Sequence, residues 1–233
     1  MKFGKSIVTD SLVLHIDAAN KKSYPGSGTA ITDLSGNSIN GTLTNGPAFN
    51  NGNVGHVAFD GVNDYINLGY SSTLNPTSIT LSDWVNYDAF VGYGAMITRW
   101  SGATTQKSFF LSNYYSTARV DFYIYDTATR NIRSTNSELE IGRWHNVVAS
   151  YDEVSHEFKI YVDGVSVPAT LTTSAPTGPI NQSTASTVGI GADITRNVHF
   201  TNGNISIAKI YNRALTADEI LQNFNATKAR FGL

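Results

Sequence analysis

Two glutamates have a spacing that could support acid–base chemistry. Glu138 and Glu140 are two residues apart, which places both side chains on one face if the segment is a strand. Two carboxyl groups on one face can hydrolyse a glycosidic bond, one as the acid and the other as the nucleophile or base. However, Ser137, Leu139 and Gly142 around them indicate a connecting segment. Glycoside hydrolysis is therefore the third of three functional interpretations.

The other chemistry-bearing residues form no catalytic arrangement. Glu153 and Glu157 flank a predicted hairpin turn, and Asp121 and Asp126 fall on opposite faces of their strand. The five histidines have no metal-ligand spacing, and the sequence has neither a G-x-S-x-G nucleophile motif nor a phosphate-binding G-x-x-x-x-G-K-S/T loop. We therefore expect a protein that is not an enzyme.

Tyrosine is abundant and is concentrated in the middle third of the chain. Tyr123 and Tyr125 alternate with Phe122 and Ile124, so one pair faces outward if the other is in the core. An exposed aromatic ring can cover the apolar face of a sugar, although such a tyrosine can also serve packing or an oligomer contact. The candidate carbohydrate-binding residues are Tyr114, Tyr115, Tyr123 and Tyr125.

Oxygen ligands for calcium occur in one loop motif. Asp33 and Asn37 belong to a D-x-S-G-N sequence, and Ca²⁺ prefers carboxylate, amide and backbone oxygens. The same motif is typical of a turn in which the Asp side chain bonds its own backbone. Asp33 and Asn37 are therefore candidate calcium ligands, with a structural turn as the alternative.

Composition limits the classes of partner. The chain has 233 residues, 41% of them hydrophobic and 15% charged, which suits one large folded domain over 1–233. A net charge of −2 gives no positive field for nucleic acid or anionic membranes, and the absence of cysteine excludes disulfides and thiolate metal sites. Residues 1–10, a predicted N-terminal arm, contain no signal-peptide hydrophobic region, so we expect a soluble protein that is made in the cytoplasm and is not exported by a cleaved signal.

The hydrophobic pattern predicts an all-β fold. Short β-rich runs recur between turn signals, and no helical periodicity separates them. Residues 18–53 are rich in Gly, Asn, Ser and Pro and are predicted to form a long ordered loop. The predicted strands are 12–17, 54–59, 65–68, 79–85, 95–100, 109–111, 120–125, 144–151, 158–162, 187–190 and 205–211.

The second half contains a predicted hairpin and a helix. Asp163-Gly164 predicts a tight reversal after strand 158–162, and Trp144 is expected in the core. Thr216 with Glu219 forms a capping box for one short helix over the sandwich. Residues 226–233 are expected to form a less ordered tail. The segment 170–186 is the predicted mobile loop.

Several segments together resemble one family. They are Leu12–Ala18, Asp33–Asn37, Phe59–Gly61, Asn63–Ile66, Trp144–Val148, Ile160–Gly164 and Ile210–Thr216. In this order they resemble a laminin G-like domain of the concanavalin A-like lectin/glucanase superfamily. The resemblance implies a two-sheet antiparallel jelly-roll sandwich with adjacent first and last strands and ligand-binding loops at one rim.

The resemblance also implies a function. The ending from Glu219 to Leu233 is similar to that of laminin G-like proteins of tailed bacteriophages. It implies a virion component, such as a tail fibre or capsid decoration protein, that contacts other virion proteins or host glycans and can form a homo-oligomer. A free lectin-like module is the alternative. Similar domains often bind calcium with an acid early in the last strand, where this chain has only Asn204 and Ser206.

Overall fold

The computed structural model describes residues 6–52, 54–103, 106–134, 136–183 and 186–233. The first half of the predicted N-terminal arm and residues 184 and 185 of the predicted mobile loop therefore lie outside the described residues. Within these residues the chain forms 17 strands, two short 3₁₀ turns at Ser72–Leu74 and Lys228–Phe231, and one α-helix, α1, at Ala217–Thr227.

Numbered along the chain, the strands are β1 (Leu12–Asp17), β2 (Ala30–Ile31), β3 (Gly41–Thr44), β4 (Ala48–Asn50), β5 (His56–Asp60), β6 (Tyr65–Asn67), β7 (Ile79–Ala89), β8 (Ala95–Arg99), β9 (Phe109–Asn113), β10 (Val120–Tyr125), β11 (Thr129–Ser134), β12 (His145–Tyr151), β13 (Phe158–Val162), β14 (Val165–Ser166), β15 (Ala169–Leu171), β16 (Gly189–Ile190) and β17 (Asn202–Tyr211).

The strands form two antiparallel sheets. Sheet A has the order β14-β13-β12-β7-β17-β5-β4, and sheet B has the order β15-β11-β10-β9-β8-β16-β6-β3-β2. In sheet A, β5 pairs with the first half of β17 and β1 pairs with its second half, so the first and last strands are neighbours. This arrangement confirms the predicted two-sheet antiparallel sandwich.

The core lies between the two sheets. Side chains of alternating residues, such as Leu81 and Val147 in sheet A and Leu111 and Phe122 in sheet B, meet there and are fully buried. Because successive side chains of a strand point to opposite faces, the residues between them form the outer face of each sheet. Tyr123 and Tyr125 therefore point outward, since Phe122 and Ile124 occupy the core.

The predicted hairpin is present, but one core assignment is wrong. Asp163 and Gly164 connect β13 to β14 as a two-residue turn. Their φ angles of 51° and 79° are both positive, as a type I′ turn requires. Trp144 precedes β12 and is only half-buried. Its ring lies on the outer side of sheet A, 5.3 Å from the ring of Phe231.

Two segments contain strands that the pattern does not reveal. The predicted loop 18–53 contributes β2, β3 and β4, which are two to four residues long and carry few alternating apolar residues. Strand β11 has the polar sequence TRNIRS and pairs with β10 along its length. Its stability comes from the neighbouring strands, because only Ile132 of this strand joins the core.

Helix α1 covers the outer face of sheet A. Its capping box is confirmed, with Glu219 N donating to Thr216 Oγ1 (3.3 Å) and Thr216 N donating to Glu219 Oε2 (2.9 Å). Where the sequence predicts a less ordered tail, a 3₁₀ turn instead buries Phe231 against Trp84. The described residues contain no helix of the length and hydrophobicity that crossing a membrane requires.

Candidate functional site

Strands β8, β9 and β10 place a group of aromatic rings on the outer face of sheet B. Phe110 and Tyr123 are direct partners across the β9–β10 ladder, and their neighbours along each strand fill the core. Trp100 follows β8 and joins the same group. The ring centroids of Phe110 and Tyr123 are 5.7 Å apart, and those of Trp100 and Tyr123 are 6.0 Å apart, both in edge-to-face geometry.

These rings border an open cleft of about 180 Å³, here called the aromatic cleft. Four of its lining side chains are aromatic and three are polar or cationic. The lining residues are Tyr93, Trp100, Phe110, Tyr123, Thr129, Arg196 and His199. A concave site with aromatic walls and a few polar groups has the composition of a small-ligand site.

A buried carboxylate holds the base of the aromatic cleft in place. Asp121 accepts hydrogen bonds from Tyr123 Oη (2.7 Å), Arg133 Nε (3.0 Å) and Asn131 Nδ2 (3.1 Å). Burial, followed by the Asp121 carboxylate, raises the pKa of Tyr123, so the phenol stays protonated and donates. The ring orientation is thus fixed before any ligand arrives.

The loop 191–201 forms one wall of the aromatic cleft. Arg196 Nε donates to the fully buried Asp193 Oδ2 at 2.6 Å. His199 has a φ of 63°, in the left-handed region, and its carbonyl oxygen accepts from Ala95 N at 3.0 Å. Burial, followed by the Arg196 charge, lowers the pKa of His199 to about 4, so the ring is neutral at pH 7. Unfavourable backbone angles of this kind are concentrated at functional sites.

The four predicted tyrosines lie on or beside this face. Tyr123 lines the aromatic cleft, and Tyr125 lies on the same face with Lys107 Nζ 5.7 Å from its ring centroid. Tyr114 and Tyr115 lie 5.9 and 5.7 Å from the ring of Tyr93, and Tyr115 is exposed. The structure thus brings the predicted residues together, and their role in binding stays a prediction.

Of the seven lining residues of the aromatic cleft, only Tyr123 was a candidate from the sequence, and Trp100, Phe110, Arg196 and His199 are among those missed. Trp100 and Phe110 lie in apolar runs, where a core position is the simpler interpretation. The outward direction of Phe110 could have been predicted, because a strand places it on the face opposite to Phe109 and Leu111. Arg196 and His199 lie in a loop without periodicity, so no local pattern places them opposite β9.

The carboxylates considered for hydrolysis are elsewhere. Glu138 and Glu140 are in a connecting segment, as predicted, and neither lines the aromatic cleft. Glu140 is exposed and pairs with Arg143 Nη1 at 2.9 Å. Of the described residues that line the aromatic cleft, none carries a carboxylate.

The D-x-S-G-N loop has the bonding of a structural turn. Asp33 Oδ1 accepts from His15 N (2.9 Å) and Ser35 N (2.8 Å), and Asp33 Oδ2 accepts from Ser35 Oγ (2.7 Å) and Ile39 N (3.2 Å). Asn37 Nδ2 donates to Ser35 Oγ at 2.9 Å. Calcium would have to displace these bonds, so Asp33 and Asn37 do not fit an open calcium shell. In the described chain, no group of three or more His, Asp or Glu side chains could hold a metal ion.

A second cleft lies between residues 18–26 on one side and residues 49–52 and 55 on the other. Its volume is about 760 Å³, and Tyr24 and Phe49 form its aromatic part, with ring centroids 4.9 Å apart. Lys21 is exposed at its edge. This cleft, here called the rim cleft, provides an alternative location for a ligand.

Comparison with solved structures defines the class of fold. The chain is similar to the binding domain of Paraclostridial Mosquitocidal Protein 1 (TM-score 0.68, 18% identity, 94% of this chain and 52% of that one). It is also similar to domain 4 of AbnA, an extracellular arabinanase from Geobacillus stearothermophilus in complex with arabinotriose (TM-score 0.65, 17% identity, 91% and 98%). Trypanosoma rangeli sialidase matches over 97% of this chain and 34% of its own (TM-score 0.68, 16% identity). These identities establish a shared fold.

The chain spans about half of the toxin domain and one third of the sialidase. No protein with a curated description matches it significantly. Two sheets packed face to face, with loops at the rim and a cleft on one outer face, define a lectin-like jelly roll. Residues 60–221 match the Laminin_G_3 family, and the chain belongs to this family of the concanavalin A-like lectin/glucanases superfamily.

Proposed function

We propose that this chain is a carbohydrate-binding module without catalytic activity and that the aromatic cleft is its binding site. The observation that carries the proposal is an open cleft on the outer face of sheet B that is lined by four aromatic side chains, of which Tyr93 and Tyr123 are half-buried and Trp100 and Phe110 are buried. Aromatic rings with a few fixed polar groups provide both the apolar surface and the hydrogen bonds that a sugar ring requires.

The carboxylates nearest the aromatic cleft favour binding over hydrolysis, because both are buried and paired with arginines. Asp121 and Asp193 are each fully buried in an ion pair with an arginine. A glycosidase needs one acid that can give up a proton and a second that can act as nucleophile or base at the scissile bond. The solved complex of AbnA domain 4 with arabinotriose shows that a similar fold can hold a sugar, which supports the proposal.

Binding to an array of glycans, followed by titration calorimetry of the strongest ligand, tests the proposal. Tyr93→Ala removes one wall of the aromatic cleft and is expected to lower affinity about tenfold, because burial of roughly 50 Å² of apolar surface against the ring contributes about 1.3 kcal/mol. Tyr70→Ala is the matched control, because Tyr70 is an exposed tyrosine that does not line the aromatic cleft. Equal losses in both variants, or no saturable binding by the unmodified protein, would refute the proposal.

We further propose that the module is displayed on a tailed-bacteriophage particle, as a fibre, tail or capsid decoration component that meets host glycans or other virion proteins. The similarity of residues 219–233 to the ending of such proteins supports this context. Mass spectrometry of purified particles encoded by the same genome should detect the chain at a fixed copy number. Its absence from the particles would refute the virion context and leave the binding site unaffected.

A further inference from the structure

Charged side chains around the aromatic cleft differ in exposure according to their sign. The side chains of Asp121 and Asp193 are 0% exposed, whereas those of their partners Arg133 and Arg196 are 21% and 36% exposed. A ligand that enters the cleft therefore meets cationic groups and no accessible carboxylate.

Arg196 has hydrogen-bonding capacity left for a ligand. Its Nε is committed to Asp193, but within the described residues neither Nη1 nor Nη2 has a hydrogen-bond partner. The side chain lines the aromatic cleft, and its attachment to a buried acid restricts its position. The two terminal nitrogens of a guanidinium group match the two oxygens of a carboxylate.

Lys107 adds a second cation without a carboxylate partner. Its Nζ lies 5.5 Å from the ring centroid of Trp100 and 5.7 Å from that of Tyr125. No ion pair involving Lys107 occurs in the part of the chain that the structure describes. His199 contributes no charge at pH 7, because burial lowers its pKa to about 4. Arg196 is therefore the cation in the described lining of the cleft, and Lys107 lies outside the lining beside Trp100.

We infer that the aromatic cleft selects a sugar unit that carries a carboxylate group, with Arg196 binding the carboxylate and the aromatic rings contacting the apolar face of the ring. The inference rests on the proposed function, since it names the ligand class of the same site. The cleft volume of about 180 Å³ is below the roughly 300–1,000 Å³ of sites for drug-sized ligands, so it suits a single terminal unit.

A glycan array with carboxylated, sulfated and neutral members tests the inference, followed by titration of one matched pair. The pair is an oligogalacturonate and its methyl ester, which share the sugar ring and differ in charge. We expect the array hits to be enriched in carboxylated glycans and the ester to bind at least tenfold more weakly, because a charge-assisted hydrogen bond contributes about 1.5–3 kcal/mol. Higher salt should weaken binding of the acid more than binding of the ester.

Four variants test which side chains give the preference for the acid. Arg196→Gln should remove most of the preference for the acid, and Arg196→Lys should retain part of it. Because Arg196→Gln leaves the buried Asp193 unpaired and can destabilise the fold, Lys107→Gln provides a variant that breaks no ion pair and should lower the preference about two- to fivefold. Lys22→Gln removes the same charge from an exposed lysine outside the cleft and should have no effect.

The outcomes separate the two proposals. Equal binding of the acid and the ester, or of neutral and acidic glycans on the array, would overturn the acidic ligand class while leaving a carbohydrate-binding module. Equal binding of sulfated and carboxylated members would overturn the assignment to carboxylate. Absence of binding to every glycan would overturn the proposed function itself.

Discussion

The two outer faces of the sandwich use aromatic residues in opposite ways. On sheet A, Trp84 is fully buried because Phe231 stacks on it at 3.7 Å and Phe224 lies 5.8 Å away. On sheet B, Trp100 and Tyr123 contact each other edge to face and border an open cleft. The C-terminal segment of the same chain closes the first face, whereas on the second face Tyr93 and Tyr123 stay half-buried at an open cleft and Trp100 is buried beside them.

The C-terminal segment that covers sheet A stabilises the fold through contacts that sheet B lacks. The segment from α1 to the 3₁₀ turn contributes a capping box, two phenylalanine rings and a hydrogen bond from Trp84 Nε1 to Thr227 Oγ1 (3.0 Å), all of which stabilise the fold. On sheet B the equivalent surface is stabilised by edge-to-face contacts, by the Asp121 network and by the bonds of the loop 191–201 to β8. Mutations on the two faces should therefore affect different properties.

The largest effect is expected on sheet A. Phe231→Ala removes the ring stacked on Trp84 and should lower the free energy of unfolding by about 3–5 kcal/mol, the usual cost of truncating a buried aromatic residue. Urea unfolding measures this change. Glycan affinity of the folded fraction should be unchanged, and a parallel loss of affinity would show that the two faces are not independent.

A smaller effect is expected at the base of the aromatic cleft. Tyr123→Phe deletes the hydroxyl that donates to Asp121 at 2.7 Å, which should cost about 1–3 kcal/mol because a buried acceptor loses a partner. The same change should weaken glycan binding, since the ring is no longer fixed. Retention of both stability and affinity would contradict the positioning role of the Asp121 network.

The pH dependence of stability distinguishes the contributions of two half-buried histidines. Burial is the main reason that the pKa values of His15, on sheet A, and His199, at the aromatic cleft, fall from 6.5 to about 4. The unfolded state therefore binds more protons between these values, and stability should fall as pH decreases from 6.5 to 4. His15→Gln should reduce that fall by about 1–2 kcal/mol in urea unfolding at each pH.

His199→Gln is the counterpart of this experiment. It should also reduce the loss of stability at low pH, and in addition it should change glycan affinity at pH 7, which His15→Gln should not. A change in affinity with both variants would mean that the effect is global and not specific to the aromatic cleft.

The smallest effect is expected at the start of α1. Thr216→Ala removes the side chain that accepts from Glu219 N and should lower the free energy of unfolding by about 1 kcal/mol. Thr216→Ser retains the hydroxyl and is the matched control. Glycan affinity should stay the same in both, because α1 lies on the other side of the sandwich from the cleft.

The sequence predicts those features that local patterns determine. The outward direction of Tyr123 follows from its alternation with core residues, and α1 follows from Thr216 and Glu219 three positions later. The packing of Phe231 on Trp84 could not be predicted, because the two residues are far apart in the chain and each occurs in a different local pattern.

The candidate site was predictable only in part for the same reason. Its tyrosines lie on a regular strand or beside it, but Arg196 and His199 reach the cleft through a loop whose path depends on backbone hydrogen bonds to β8. Strand β11 carries Arg133 and Asn131, which bind Asp121, and its polar sequence gives no strand signal. Strand periodicity therefore predicts the position of the tyrosines, whereas the positions of Arg196 and His199 depend on tertiary contacts.

A crystal structure of the protein with its strongest array ligand tests the central claim most directly. We predict that a sugar ring lies in the aromatic cleft against Tyr93 and Tyr123, the two half-buried rings of its lining. A ligand bound instead in the rim cleft, between Tyr24 and Phe49, would contradict it.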